Sequence, residues 1–268
     1  MPQAVFRFYG SLNDFLMPTR RQIAFSRFVE KHASIKDAIE ALGVPHPEID
    51  LILVNGESVS FAHQLQVRDR VSVYPRFDAI DIDAVSQVRP QPLKSCRFVL
   101  DVHLGKLARY LRLLGFDALY RNDYDDKELA QISSKQQRIL LTQDLGLLKR
   151  SLVTYGYRVR SADPQQQVAE VLSRFDLYQE IAPFRRCSRC NGLLASVEKQ
   201  AVRDRLPYFT ALHYHEFFQC QSCEQVYWKG AHYERMQRLV ERLSEQREHT
   251  SLETTPLSKA QEQPCACE

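Results

Sequence analysis

No stretch of the 268 residues approaches the ~18 consecutive apolar residues of a membrane-spanning helix, and the first fifteen residues carry Arg7 and Asp14 where a secretory leader would be apolar. An internal repeat is missing, and so is a strong excess of either charge: 36 Lys+Arg face 33 Asp+Glu. Hydrophobic residues at 44% and charged residues at 26% exclude bulk disorder. The expectation is a cytoplasmic chain without a membrane partner, long enough for two or three compact units.

Cysteine is present in an odd number, seven, and four of the seven form two Cys-x-x-Cys pairs, Cys187 with Cys190 and Cys220 with Cys223. In a reducing compartment such pairs read as metal ligands rather than disulfides. Four thiolates at knuckle spacing suit tetrahedral Zn²⁺, and Asn191-Gly192 supplies the tight turn after the first pair. An all-thiolate shell has no position for water, so the zinc is expected to be structural. A redox role would need one pair alone, opening a helix after a strand. His213, His215 and His232 are read as ordinary polar residues. Tyr208, Phe209, Phe217, Phe218, Tyr227 and Trp228, interleaved with Arg203, Arg205 and Lys229, can stack bases or form the core of a small ribbon, and the core reading is preferred.

The charge is unevenly spread. Residues 86 to 182 carry 15 Lys+Arg against 11 Asp+Glu and residues 183 to 243 carry 10 against 6, while residues 1 to 85 carry 9 against 11. A polyanion is therefore expected to meet residues 86 to 243.

The first 80 residues read as strand, strand, helix, strand, strand. Alternation marks 5–9, 22–29 and 70–74; Ser34 caps a helix that Gly43 stops; a short apolar strand at 50–54 turns at Asn55-Gly56. This order resembles the ubiquitin-like β-grasp and the small sulfur-carrier proteins. Those carriers act through a free C-terminal Gly-Gly, whereas here the last strand runs into Pro75 and further chain, so an interaction or packing module is expected, with a protein partner as one consequence. Residues 81 to 95 read as a linker, and residues 244 to 268 as a disordered tail.

From 96 to 182 strands and helices alternate strictly: strands at 97–100, 116–120, 139–142 and 157–160, and helices at 104–114, 127–137, 145–151 and 165–175. Strict alternation with short connections predicts a parallel sheet covered by helices. The carboxyl ends of such strands collect ligands, and acids stand there: Asp101 after the first strand, Asp123, Asp125 and Asp126 after the second, Asp144 after the third. Carboxylates gathered on one rim imply a divalent cation, Mg²⁺ or Mn²⁺, and a metal-assisted phosphodiester hydrolysis. Asp101 and Asp144 are also candidate helix caps, and Asp125 with Glu128 reads as a capping box that leaves Asp126 free. Lys106, Arg109 and Arg112 lie off the apolar stripe of the helix after Asp101, positioned for a phosphate backbone or as a solvated face.

The segments LDVHLGKLARYLRLLGFD, DYDDKEL, RILLTQD, RCSRCNGLL and FFQCQSCEQVYWKGAHYERM resemble the Mut-seven C-terminal ribonuclease family over 97 to about 243. The resemblance implies a PIN-like nuclease domain at 96–182, a zinc ribbon at 183–243, and a ubiquitin-like domain at 1–80. By position it assigns Asp101, Asp126 and Asp144 to catalysis with Mg²⁺ or Mn²⁺, and RNA as substrate. A clear fourth acid is missing. The alternative is a non-catalytic RNA-binding or adaptor protein.

Overall fold

The structure, a computed structural model, describes residues 2 to 242 except 31, 78, 79, 231, 232, 235, 236 and 239. The expected tail from 244 onward and His232 lie outside the described residues.

The first unit is a mixed sheet in the order β2-β1-β5-β3-β4, comprising β1 (Gln3–Phe8), β2 (Phe25–Phe28), β3 (Leu51–Val54), β4 (Glu57–Ser58) and β5 (Arg70–Tyr74). Strands β1 and β5 run parallel at its centre, the signature of a grasp topology. Alternate residues of β1, Ala4, Phe6 and Phe8, enter the core, where Ile35, Ala38 and Ile39 of α1 (Ile35–Ala41) meet them. Ser34 caps α1 by accepting the Asp37 N–H at 3.2 Å. Asn55 and Gly56 have φ of 52° and 95°, the two left-handed residues of a type I′ hairpin. That hairpin creates β4, which sequence periodicity does not signal in two residues. The strand expected at 22–29 shrinks to four residues, because Gln22 sits in the left-handed region at φ of 62° with its N–H given to Asn13 Oδ1 at 2.7 Å, which is incompatible with extended pairing there.

The second unit is a parallel sheet, order β7-β6-β8-β9, of β6 (Arg97–Leu100), β7 (Asp117–Leu119), β8 (Ile139–Thr142) and β9 (Gly156–Arg158). Both faces are covered. Phe98, Leu100, Ile139 and Leu141 join the core under α2 (Gly105–Leu113) and α5 (Pro164–Phe175), while Val99 and Leu140 pack with α3 (Asp126–Gln136) and α4 (Leu145–Leu148). The chain leaves β6 for β7 and then crosses back to β8 on the other side, so its winding reverses between β6 and β8. Ligand crevices of open parallel sheets form at the carboxyl ends of strands flanking such a reversal. Gly115 ends α2 with φ of 98°, at a point where a Cβ would stand 2.1 Å from the Ala182 carbonyl oxygen.

Residues 81 to 95 have no regular element, as a linker would not, yet they are packed rather than free. Val88 joins the first core, Arg89 holds Asp50 at 3.0 Å and Asp83 at 2.8 Å, and the Tyr155 hydroxyl donates to the Gln91 carbonyl at 2.8 Å.

Beyond them β10 (Leu194–Val197), β11 (Phe217–Cys220) and β12 (Val226–Trp228) form an antiparallel sheet, with α6 (Lys199–Val202) and α7 (Tyr208–His213) between β10 and β11. Its core is small: Val202, Phe217 and Val226, flanked by Trp228 and Tyr214. No helix among the described residues is long and apolar enough to cross a membrane.

Candidate functional site

The four cysteines converge. Their sulfurs all lie within 4.8 Å of one another, with Cys190 to Cys220 at 3.4 Å and Cys187 to Cys223 at 3.6 Å. Thiolates around Zn²⁺ at ~2.3 Å stand about 3.8 Å apart on the edges of a tetrahedron, so the donors and spacing fit a metal such as zinc. The two turns mirror each other. Asn191 and Glu224, each just after the second cysteine of its pair, have φ of 69° and 60°, and within each pair the N–H of the second cysteine points at the sulfur of the first: Cys190 N–H to Cys187 Sγ and Cys223 N–H to Cys220 Sγ, both at 3.4 Å. A Cβ at Gly192 would lie 2.6 Å from Ser222 Oγ and 3.0 Å from Cys220 Sγ, so a side chain there would crowd the second cysteine turn. Burial opposes ionisation of Cys187, but the Tyr227 hydroxyl and the Cys190 and Arg189 N–H groups outweigh it and bring the thiol down to about 7.

The carboxylates occupy the other end of the molecule's chemistry. Asp101 follows β6 and Asp144 follows β8, the two strands between which the winding reverses. Asp101 is buried, and its Oδ2 accepts the Thr142 hydroxyl at 2.7 Å; Thr142 Oγ1 in turn accepts the Asp144 N–H at 2.9 Å. Thr142 thus ties the two acids together, a role that its position between strand and cap in the sequence does not announce. Asp144 is exposed and caps α4, its Oδ1 accepting the Gly146 N–H at 2.7 Å. Asp126 opens α3 and is turned toward Arg150 at 3.4 Å, on the surface. Asp125 forms the capping box with Glu128, and Asp123 pairs with Arg121. Among the described residues the convergence of three or more metal-ligating side chains occurs at the cysteines, and the three acids do not converge in that way.

The three basic residues of α2 part company. Lys106 and Arg109 are exposed. Arg112 is only 5% exposed: its Nε donates to the Ala118 carbonyl at 2.8 Å and one terminal nitrogen to the Arg189 carbonyl at 3.0 Å. The expectation that Arg112 meets a phosphate backbone is corrected; it bolts the first cysteine turn to strand β7. Its place one turn after Ala108, on the margin of the apolar stripe, is the signal that could have shown this.

Residues 96–240 match the family model described as the Mut7-C RNAse domain, and residues 1–81 match the one described as Mut7-C ubiquitin. A human (Homo sapiens) protein named "Exonuclease mut-7 homolog" is 33% identical over 124 residues, which cover 44% of this chain and 14% of that protein. The chain therefore spans a small fraction of that relative's length. No solved structure matches it.

Proposed function

Because the chain belongs to the Mut7-C RNAse domain family, we propose that it is a metal-dependent ribonuclease with a PIN-like domain at 96–182, a structural zinc ribbon at 183–243 and a ubiquitin-like domain at 1–80, at work in the reducing cytoplasm. What carries the reading is the pair Asp101 and Asp144 at the carboxyl ends of the two central strands, linked through Thr142. Asp101, Asp144 and Asp126 would hold a divalent cation, Mg²⁺ or Mn²⁺, which when bound would lower the pKa of a water and offset charge on the phosphodiester. Asp126 would have to leave Arg150 to join them, and a surface pair of this kind costs only about 0–1 kcal/mol to break. Thr142 holds Asp101 in one rotamer and fixes the Asp144 backbone, so the two carboxylates are oriented before substrate arrives. Released Arg150, with Lys106 and Arg109, supplies positive charge along the rim for the phosphate backbone.

The cysteine site takes no part in the chemistry, since four thiolates complete a tetrahedron and leave no open position. A second reading, an RNA-binding or adaptor protein without catalysis, is favoured by the present engagement of Asp126 with Arg150 and of Asp144 with α4. Cleavage of mixed RNA with Mn²⁺ separates the two. The native chain should cut, and Asp101→Asn and Asp144→Asn should each lose about 10²-fold or more. Equal activity in all three would remove the mechanism, and salt-sensitive binding without cleavage would favour the adaptor.

A further inference from the structure

Between α2 and the C-terminal three-stranded sheet lies a cavity of about 720 Å³, within the size range of ligand sites. Its walls include Arg109, Arg186, Phe209, His213, Tyr227 and Trp228, and no acidic side chain lines it among the described residues. The aromatics of this unit divide into two sets. Phe217 is buried in the small core, whereas Phe209 and its neighbour Tyr208, rings edge to face at 5.7 Å, are 73% and 77% exposed on α7. A core that needed these rings would have taken them in. Arg186 also lines the cavity but is held from behind, by the Asn191 carbonyl at 3.1 Å and Asp117 at 3.4 Å, so the exposed guanidinium on this wall is that of Arg109.

Flat apolar rings beside an exposed guanidinium group are the chemistry that binds unpaired bases and their phosphates: rings stack on bases of any sequence, and the arginine offsets the backbone charge. The cavity also points somewhere. Arg109 lies four residues into α2, about 6 Å along its axis, and α2 begins just beyond Asp101. A strand seated in the cavity and passing over Arg109 and Lys106 is led toward the acid rim.

We propose that this cavity is a subsite for unpaired nucleobases of single-stranded RNA, resting on the ribonuclease reading above and adding to it the strandedness of the substrate. Duplex RNA cannot use it, because its bases are already stacked on one another.

The test measures binding rather than cleavage, so that it is independent of the acids. The full chain with its zinc, in buffer free of Mg²⁺ and Mn²⁺, is titrated with a fluorescein-labelled single-stranded RNA 12-mer and with the same sequence as a duplex. The chain has one tryptophan, Trp228, so its intrinsic fluorescence reports directly on the cavity. Expected are quenching of Trp228 by the single strand, weaker binding of the duplex, a roughly ten-fold loss of single-strand affinity in Phe209→Ala, and a salt slope reduced by about 1 in Arg109→Ala. Both substituted side chains are exposed, and unchanged circular dichroism checks the fold. Native affinity in Phe209→Ala, or equal binding of single strand and duplex, overturns the subsite while leaving the nuclease reading to the Asp101→Asn assay. No RNA binding, with a dimer that Phe209→Ala abolishes, also overturns it and gives the face to a second copy of the chain.

Discussion

The parallel sheet has two edge strands, β7 and β9, and each is covered by a different flanking unit with the same device. At β7 the Asn191 Oδ1 of the first cysteine turn accepts the Ala118 N–H at 3.1 Å; at β9 the Glu48 Oε1 of the N-terminal unit accepts the Arg158 N–H at 2.8 Å. An uncovered edge invites pairing with other chains, and one side-chain acceptor aimed at a strand N–H closes it. The two seams differ in how their carboxylates are treated. Burial of Asp117 opposes its ionisation, but a forked hydrogen bond from Arg138 at 2.8 and 3.2 Å, the Asn191 amide at 2.7 Å and Arg186 at 3.4 Å outweigh burial and hold its pKa below the usual range. At Glu48 burial wins over Arg174, the Arg158 N–H and Arg160, and the pKa is raised. A half-buried, well-satisfied charge joins the cysteine-bearing unit to the sheet, and a buried, poorly compensated one joins the N-terminal unit.

The largest expected effect tests the zinc proposed at the four cysteines. Structural zinc contributes about 10–16 kcal/mol of folding free energy to small metal-bearing units, so a Cys187→Ser, Cys220→Ser chain should lose its zinc and its C-terminal sheet. Because Asn191 of the first cysteine turn accepts directly from β7, and Arg112 of α2 holds both that turn and β7, hydrogen exchange at β7 should accelerate while β9 keeps its protection. A zinc-free chain with native exchange at β7 would refute the coupling.

Next is Asp117→Ala, which leaves Arg138 and Arg186 without their carboxylate and should cost about 3–5 kcal/mol, read from denaturant midpoints. The sign with pH follows from the lowered folded pKa. The contribution of Asp117 is complete above its unfolded value near 4 and is lost as pH falls through the still lower folded value. Acid should therefore loosen the β7 seam first.

The smallest effect, of opposite sign, belongs to Glu48→Gln. The amide oxygen keeps the Arg158 N–H while the charge disfavoured by burial is removed, so stability at neutral pH should stay unchanged or rise by up to about 1 kcal/mol. With its folded pKa raised, the native Glu48 contribution is present in acid and is lost as pH rises through that value. A destabilisation of several kcal/mol in Glu48→Gln would mean that the charge, and not only the acceptor, holds the β9 seam.

Elements were legible where their cause is local. Ser34 and Asp125 cap helices within three residues, Asn55-Gly56 turns within two, and the cysteine turns need four residues each. Features that depend on a distant partner were not. Residues 81 to 95 read as a free linker because the partners that pack them, Asp50 and Tyr155, lie in two different units. Arg112 reads as a surface residue until Ala118 and Arg189 are brought to it. Of the proposed acids, the strand ends were readable, but the hydroxyl of Thr142 between Asp101 and Asp144 and the pairing of Asp126 with Arg150 were not.

The two cysteine turns and the alternation of strands and helices follow from the sequence, since hydrogen bonds within a few residues and apolar periodicity suffice for both. The tertiary structure alone decided the strand order β7-β6-β8-β9, which makes Asp101 and Asp144 neighbours, and decided which arginine of α2 is spent inside and which faces the aromatic cavity. The physical reason is that a residue's own segment sets the direction of its side chain, while the crossover connections choose what stands there to meet it.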